Sequence, residues 1–408
     1  MKTLRTCIIS QGNEILNGHI LNSNSQWLSA FFVGSQYEII EHVTVGDDMF
    51  QLQKTFERCI HEYDVLISTG GLGPTEDDLT SKVISMVTEL RLEEHPIAFQ
   101  NLHEYCIRRN RPLTVQMKQM AFLPKDATCI PNPIGSASGY QLLFQETEIF
   151  VFPGIPTEMK MMIEDHFSQK RVFVHKPLIC ATFGLPESQL QQRLQPISDT
   201  YKIHISYHAT AKANWITLFP HHDIKDDIQK QISVLLADCL YDISQNTKNT
   251  LVDVVANLLL EKGEMVATAE SCTAGKLSAW LTSRSGSSQY FKEGVVVYSN
   301  EAKSKYCGVD PKLIQEQGAV CKQVANDLAK GIAKSANCTW GIGITGIAGP
   351  TGGSKEKPVG TVHISVFGYQ QDTHKHCLFH GTRDQITDKA CAQALFLLYQ
   401  CLIQNNAL

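Results

Sequence analysis

The chain has 408 residues, more than the roughly 100–200 of one ordinary domain, so two or three domains are expected. Hydrophobic residues make up 43% and charged residues 19%, which supplies packed cores and excludes wholesale disorder. With 36 Lys+Arg against 41 Asp+Glu, the basic excess that phosphate-backbone binding demands is missing, and no direct nucleic-acid partner is expected.

Thirteen cysteines, with no C-x-x-C pair, argue against a disulfide framework or a zinc ribbon and read as reduced thiols. No apolar run reaches the roughly 18 residues of a membrane span. The expectation is a cytoplasmic protein with no membrane partner.

Short β-rich runs alternate with longer helical patterns, the signature of an α/β protein with parallel sheet. Residues 6–10 form the first strand and 21–32 a helix. Residues 64–69 are an apolar strand entering Gly70-Gly71; residues 149–152 are another, stopping at P-G-I-P before a helix over 158–167. The first domain is expected to span 1–170. Residues 171–246 hold a single glycine, Gly184, and read as a small α+β domain. Its His221-His222-Asp223 trio reads as a polar loop. A third domain, 247–408, opens with a helix over 250–262 ending at Gly263. Strands follow at 265–269, 295–298, 341–345 and 361–367, with an amphipathic helix over 384–403.

In the first domain, Gly70 to Asp78 reads G-G-L-G-P-T-E-D-D directly after a buried strand. This puts an anion-accepting turn and carboxylates where open α/β sheets bind ligands. Asp77 and Asp78 suit Mg²⁺ against a pyrophosphate; the plain alternative is acids in the first turn of a helix. Two more small-residue turns, Gln11-Gly12-Asn13-Glu14 and the N-P-I-G-S-A-S-G run from Asn132, are candidates for the same crevice.

In the third domain, residues 265–275 read M-V-A-T-A-E-S-C-T-A-G, a buried strand delivering Ser271, Cys272 and Thr273 to a helix start, where capping is the plain reading. G-S-S ends at Ser288, and Y-S-N-E-A-K runs from Tyr298 to Lys303. A serine becomes a nucleophile when a base takes its proton, and a lysine serves as that base once burial lowers its pKa. Ser288, Tyr298 and Lys303 are the expected set, against a turn serine and a surface lysine. Cys272 is a rival nucleophile, with packing as its ordinary role. A Gly/Pro-rich loop over 344–362 suits an anion or an oxyanion. The G-x-G-x-x-G of Gly341, Gly343 and Gly346 runs into Gly349-Pro350 rather than a helix, so the dinucleotide fingerprint is rejected.

Across residues 250–405, the motifs A-E-S-C-T-A-G, G-S-S, V-Y-S-N-E-A-K, G-I-A-G-P-x-G-G-S-x-E-K-P-V-G-T-V and G-x-R-D resemble the CinA C-terminal domain, the nicotinamide-nucleotide amidohydrolase family. The resemblance implies hydrolysis of nicotinamide mononucleotide (NMN) to nicotinate mononucleotide and ammonia without a cofactor. It implies Ser288 as nucleophile, Lys303 as base and Tyr298 as its aide, with Ser271, Thr345, Gly346 and Arg383 as substrate contacts. Thr351 and Cys321 depart from the family pattern, at positions where an acid and a serine are usual.

Residues 1–170 resemble the molybdopterin-binding (MoaB/MogA-like) three-layer α/β fold of the CinA N-terminal domain, through N-E-I-L-N-G, T-G-G-L-G-P-T-x-D-D and N-P-x-G-x-A-x-G. The middle stretch resembles the KH-like insert of full-length CinA. These resemblances imply a homodimer and a divalent-metal-dependent ADP-ribose pyrophosphatase. Glu14, Asp77 and Asp78 are then its metal residues, and Gly70, Gly71, Gly73, Asn132 and Gly135 its nucleotide site. Asn13 stands where many relatives carry Asp. The alternative is a non-catalytic pterin- or nucleotide-binding protein in a competence or DNA-damage response.

Overall fold

The computed structural model describes residues 3–174, 177–210, 213–219, 226–245 and 249–404; the His221-His222-Asp223 trio and the boundary at 246/247 lie outside them. Two compact units result, Met1–Lys176 and Pro177–Leu408.

The first unit carries strands β1 (Leu4–Gln11), β2 (Tyr37–Val45), β3 (Val65–Thr69), β4 (Leu92–Glu94), β5 (Phe122–Pro124), β6 (Thr128–Ile130), β7 (Gly139–Phe144) and β8 (Thr147–Phe152). Six of them form one sheet in the order β2-β1-β3-β8-β7-β6, parallel from β2 to β8 and antiparallel beyond. All five residues of β3 are buried, as a strand covered on both faces must be. One face packs against Leu52, Phe56 and Val83, the other against Leu28, Met159 and Phe167, giving three layers. The parallel strands β1, β2, β3 and β8 all end at one edge, which fixes where a ligand crevice opens.

The second unit begins with a four-stranded antiparallel sheet, β10-β11-β9-β12, built from β9 (Leu178–Thr182), β10 (His204–Ala209), β11 (Asn214–Phe219) and β12 (Leu240–Gln245). Helices Glu187–Tyr201 and Asp226–Leu235 accompany it. Ala181, Ala213 and Tyr241 share a core with the C-terminal helix Arg383–Gln404, and Phe183 meets Phe396 at 5.2 Å between ring centroids.

A five-stranded sheet completes this unit in the order β14-β13-β15-β16-β17, from β13 (Val266–Glu270), β14 (Phe291–Val296), β15 (Trp340–Gly346), β16 (Thr361–Gly368) and β17 (Gln371–Leu378). Strand β13 runs parallel to both β14 and β15. Its leading helix Leu251–Lys262 starts at a Thr250/Asp253 capping box and stops at Gly263 with φ +64°, where glycine alone avoids a Cβ penalty. Gly341 and Gly343 lie against the helix Lys322–Ala336; an added Cβ would stand 2.0 Å from Ala329 O and 2.3 Å from Ala325 O.

One strand differs from expectation. Apolar residues suggested 295–298, whereas β14 runs over Phe291–Val296 and is an edge strand carrying exposed Lys292, Glu293 and Gly294. Edge pairing does not require an apolar pattern, so periodicity displaced the strand toward its C-terminal end.

Among the described residues, no helix is long and apolar enough to cross a membrane.

Candidate functional site

The shift in β14 rearranges the third-domain site. Ser288 sits in the one-turn 3₁₀ helix Ser287–Gln289, exposed, immediately before β14. Tyr298 and Lys303 follow its other end. Six strand residues at about 3.3 Å each hold the two ends about 20 Å apart. The structure therefore does not bring Ser288 to Lys303, and Ser288 is corrected from nucleophile to a surface turn.

The serine that does stand at the right end is Ser271, the first residue past β13. Pairing of Glu270 with Val296, and the bond from Val297 N to Glu270 O at 2.8 Å, set Ser271 level with Val297. Lys303 Nζ donates to the carbonyls of Val297 at 2.9 Å, Tyr298 at 3.1 Å and Ser299 at 3.4 Å. Lys303 is 2% exposed, and burial depresses its pKa below the ordinary lysine range. A neutral amine keeps two of those donors and frees a lone pair, which is what a base needs.

Ser271 is 7% exposed, and among the described residues its hydroxyl has no hydrogen-bond partner. The main-chain N–H groups of the next two residues, Cys272 and Thr273, find no backbone acceptor among the described residues, and the buried Thr273 Oγ1 is unpartnered. Unpaired donors beside a serine form the arrangement that holds an oxyanion. Cys272 is a poor rival: burial pushes its thiol up to about 12, which suppresses the thiolate.

The preceding acid does different work. Glu270, fully buried, accepts from Ser278 N at 2.8 Å, Ser278 Oγ at 2.6 Å, Leu277 N at 3.0 Å and Gly275 N at 3.1 Å. It caps the helix Lys276–Leu281 and fixes the turn that carries Ser271 to Thr273.

Two further walls converge on this edge. Arg383 donates to Gly349 O at 2.8 Å and to the exposed Tyr298 hydroxyl at 3.2 Å, and among the described residues no carboxylate pairs with it. Thr345, near the end of β15 and buried, gives its hydroxyl proton to Ala319 O at 2.7 Å. Gly346 closes the same strand; an added Cβ would stand 2.8 Å from Thr361 O. Sequence reasoning missed the roles of Glu270 and Thr273, although both lie in the quoted A-E-S-C-T-A-G run.

In the first unit, a cleft of about 650 Å³ opens at the ends of the parallel strands, lined by Gln11, Asn24, Asp47, Gly70, Gly71 and Asp77 among others. Gly70 and Gly71 have φ of +100° and +69°, and a Cβ on Gly71 would stand 2.0 Å from Gln11 Oε1; only glycine fits there. Gly73 lies as close to Asp78, 2.5 Å from a would-be Cβ to Oδ2.

Glu14 and Asp77 line the cleft with exposed side chains. Asp78 lines it too, but accepts from Gly73 N at 2.6 Å, Thr75 N at 2.9 Å and Thr75 Oγ1 at 2.6 Å. Its oxygens brace the Gly-rich loop while the residue still lines the cleft. The three acids do not form a closed cage. Glu14 and Asp77 fit a cation that arrives with phosphate oxygens, since Mg²⁺ commonly takes one or two carboxylates plus substrate.

Asn132 and Gly135 are also corrected. Fully buried Asn132 accepts from Gly135 N at 2.7 Å and donates to Ala137 O at 2.9 Å and Glu158 Oε2 at 2.8 Å. It ties the loop together, and Ser136 and Ala137 form the cleft wall instead. The residue overlooked is Asp47, which accepts from Gln11 Nε2 at 2.9 Å and Asn13 N at 3.0 Å; its position just after β2 was the available signal. Asn24 Oδ1, also on the cleft, is buried without a partner.

The fold defines a multidomain α/β protein. Residues 248–402 match the CinA C-terminal domain and residues 7–171 the probable molybdopterin binding domain. A putative competence-damage inducible protein of Halothermothrix orenii is 33% identical over 97% of this chain and 98% of its own. A CinA-like protein of Anaeromyxobacter sp. is 34% identical over 96% and 97%. A CinA superfamily crystal structure from Klebsiella pneumoniae is 30% identical over 38% of this chain and 96% of its own, with a TM-score of 0.37. The chain belongs to the CinA family.

Proposed function

We propose that the second unit is a serine amidohydrolase acting on NMN, with Ser271 as nucleophile and Lys303 as base. The observation that carries this reading is the buried Lys303 amine, held by three carbonyls at the strand end level with Ser271. Ser271 Oγ attacks the carboxamide carbon while Lys303 Nζ takes its proton. The tetrahedral oxyanion rests on the Cys272 and Thr273 N–H groups. Lys303 returns the proton to the departing nitrogen, ammonia leaves, and an ester remains on Ser271. Water activated by the same amine cleaves that ester, releasing nicotinate mononucleotide and restoring the hydroxyl. Arg383, lacking a carboxylate partner, suits the substrate phosphate.

The base must be neutral, so kcat/KM rises with pH and levels off once Lys303 is deprotonated. Burial sets that midpoint below the ordinary lysine value of about 10.4. A pH–rate profile on NMN checks this; a midpoint at the free-lysine value counts against it.

For the first unit we propose ADP-ribose hydrolysis to AMP and ribose 5-phosphate, supported by the carboxylate-lined cleft and the Gly70-Gly71 turn. Glu14 and Asp77 would hold a divalent cation, which when bound neutralises pyrophosphate charge. Gln11 and Asp47 orient the turn around it. Asp77→Asn is expected to lower AMP release at least about tenfold and to leave NMN turnover unchanged. Equal AMP release from wild type and variant across Mg²⁺ and Mn²⁺ excludes the assignment and leaves binding as the role of this cleft.

A further inference from the structure

A second constellation in the first unit shares no residue with its cleft and lies on the sheet face that packs against Leu52 and Phe56. Pairing between β1 and β2 steps from Thr6↔Ile39 to Cys7↔Glu41, so Ile40 is an extra residue, pushed outward and 46% exposed. Such a bulge re-aims the side chains that follow it. Here it brings Glu41 onto the face of Cys7, opposite Cys59 of the helix Met49–Glu62. Both thiols are fully buried, with their sulfurs 3.9 Å apart. One ligand atom from each of Cys7, Glu41 and Cys59 lies within 4.8 Å of the other two, and among the described residues no other His, Cys, Asp or Glu group of three does so.

We propose that Cys7, Cys59 and Glu41 form a binding site for a thiophilic divalent cation of the zinc class. Two metal–sulfur bonds of about 2.3 Å at a tetrahedral angle span about 3.8 Å between sulfurs, close to the separation present. Packing alone explains two neighbouring thiols; the bulge adds a carboxylate oxygen within 4.8 Å of both sulfurs. Glu41 is oriented from outside by Arg58, at 2.9 and 3.2 Å, and by the Tyr63 hydroxyl at 2.8 Å, the outer-shell support that ligating carboxylates receive. Binding would release both thiol protons, and Arg58, which also pairs with Glu62 at 2.8 Å, offsets part of the negative charge that results. The side chain of Glu41 is 35% exposed, which leaves a route for the ion and a water in the fourth position. Mg²⁺, which takes oxygen ligands, does not fit. The ion would cross-link β1, β2 and the helix, and its binding energy would add to the stability of the unit. This site stands independently of either hydrolase reading.

The test uses the full chain, reduced and stripped with a chelator, titrated anaerobically with Co²⁺ as the probe. About one equivalent is expected to bind with a near-ultraviolet sulfur-to-cobalt band, displaced by Zn²⁺ and unaffected by millimolar Mg²⁺. Cys59→Ser abolishes the band and Cys106→Ser, a buried thiol of the same unit, retains it. Should Cys59→Ser fail to fold, Glu41→Gln decides: the band persists and affinity falls at least about tenfold. No band in the wild-type chain, an unchanged band in folded Cys59→Ser, or unchanged affinity in Glu41→Gln overturns the proposal.

Discussion

Replacing Lys303 by methionine is expected to lower kcat/KM for NMN by about 10³-fold or more, the scale on which removing an essential general base acts. Methionine matches the length and volume of the aliphatic stem, so the 2% exposed position stays filled. What disappears is the amine held by Val297, Tyr298 and Ser299. Binding of NMN, measured by calorimetry, is expected to change little, because the phosphate contact proposed for it is Arg383. The residual rate should also lose the rising pH limb. A variant that keeps that limb would show that another group is the base.

The second large effect is on stability. Glu270→Ala removes one buried carboxylate and strands the main-chain N–H groups of Gly275, Leu277 and Ser278, while the Ser278 hydroxyl keeps its bond to Thr268 Oγ1 at 2.8 Å. Unpaired buried donors cost about 1–3 kcal/mol each, partly recovered by relaxation, so a loss on the order of 4 kcal/mol is expected. In a unit of this size that lowers Tm by about 8–16 °C. Glu270→Gln keeps one acceptor oxygen and should lose roughly half as much. Calorimetric unfolding of both variants checks the order; equal stability of wild type and Glu270→Ala would remove the capping role.

Much of the architecture was legible because local rules agreed with the fold. The strand over 64–69, the helix over 158–167 and the helix from Thr250 to Gly263 all appear within a residue or two, each marked by an apolar run, a Pro start or a cap. The site was harder to read for one physical reason: an edge strand carries no apolar signature. Reading β14 four residues late put Ser288 and Lys303 at the same strand end, whereas six residues of strand separate them. The first-domain acids show a related limit. Asp77 and Asp78 are alike in sequence, and loop curvature alone decides that Asp78 braces Gly73 and Thr75 although both line the cleft. Asn132, likewise, has the chemistry of a ligand contact but spends its amide on Gly135, Ala137 and Glu158.

The measurement that bears most directly on this account is ammonia and nicotinate mononucleotide release from NMN in the presence of a chelator, by wild type, Ser271→Ala and Ser288→Ala. The account predicts turnover by wild type and Ser288→Ala alike, and none above background by Ser271→Ala. Turnover by Ser271→Ala with loss in Ser288→Ala would contradict it, as would a folded wild-type chain that releases no ammonia.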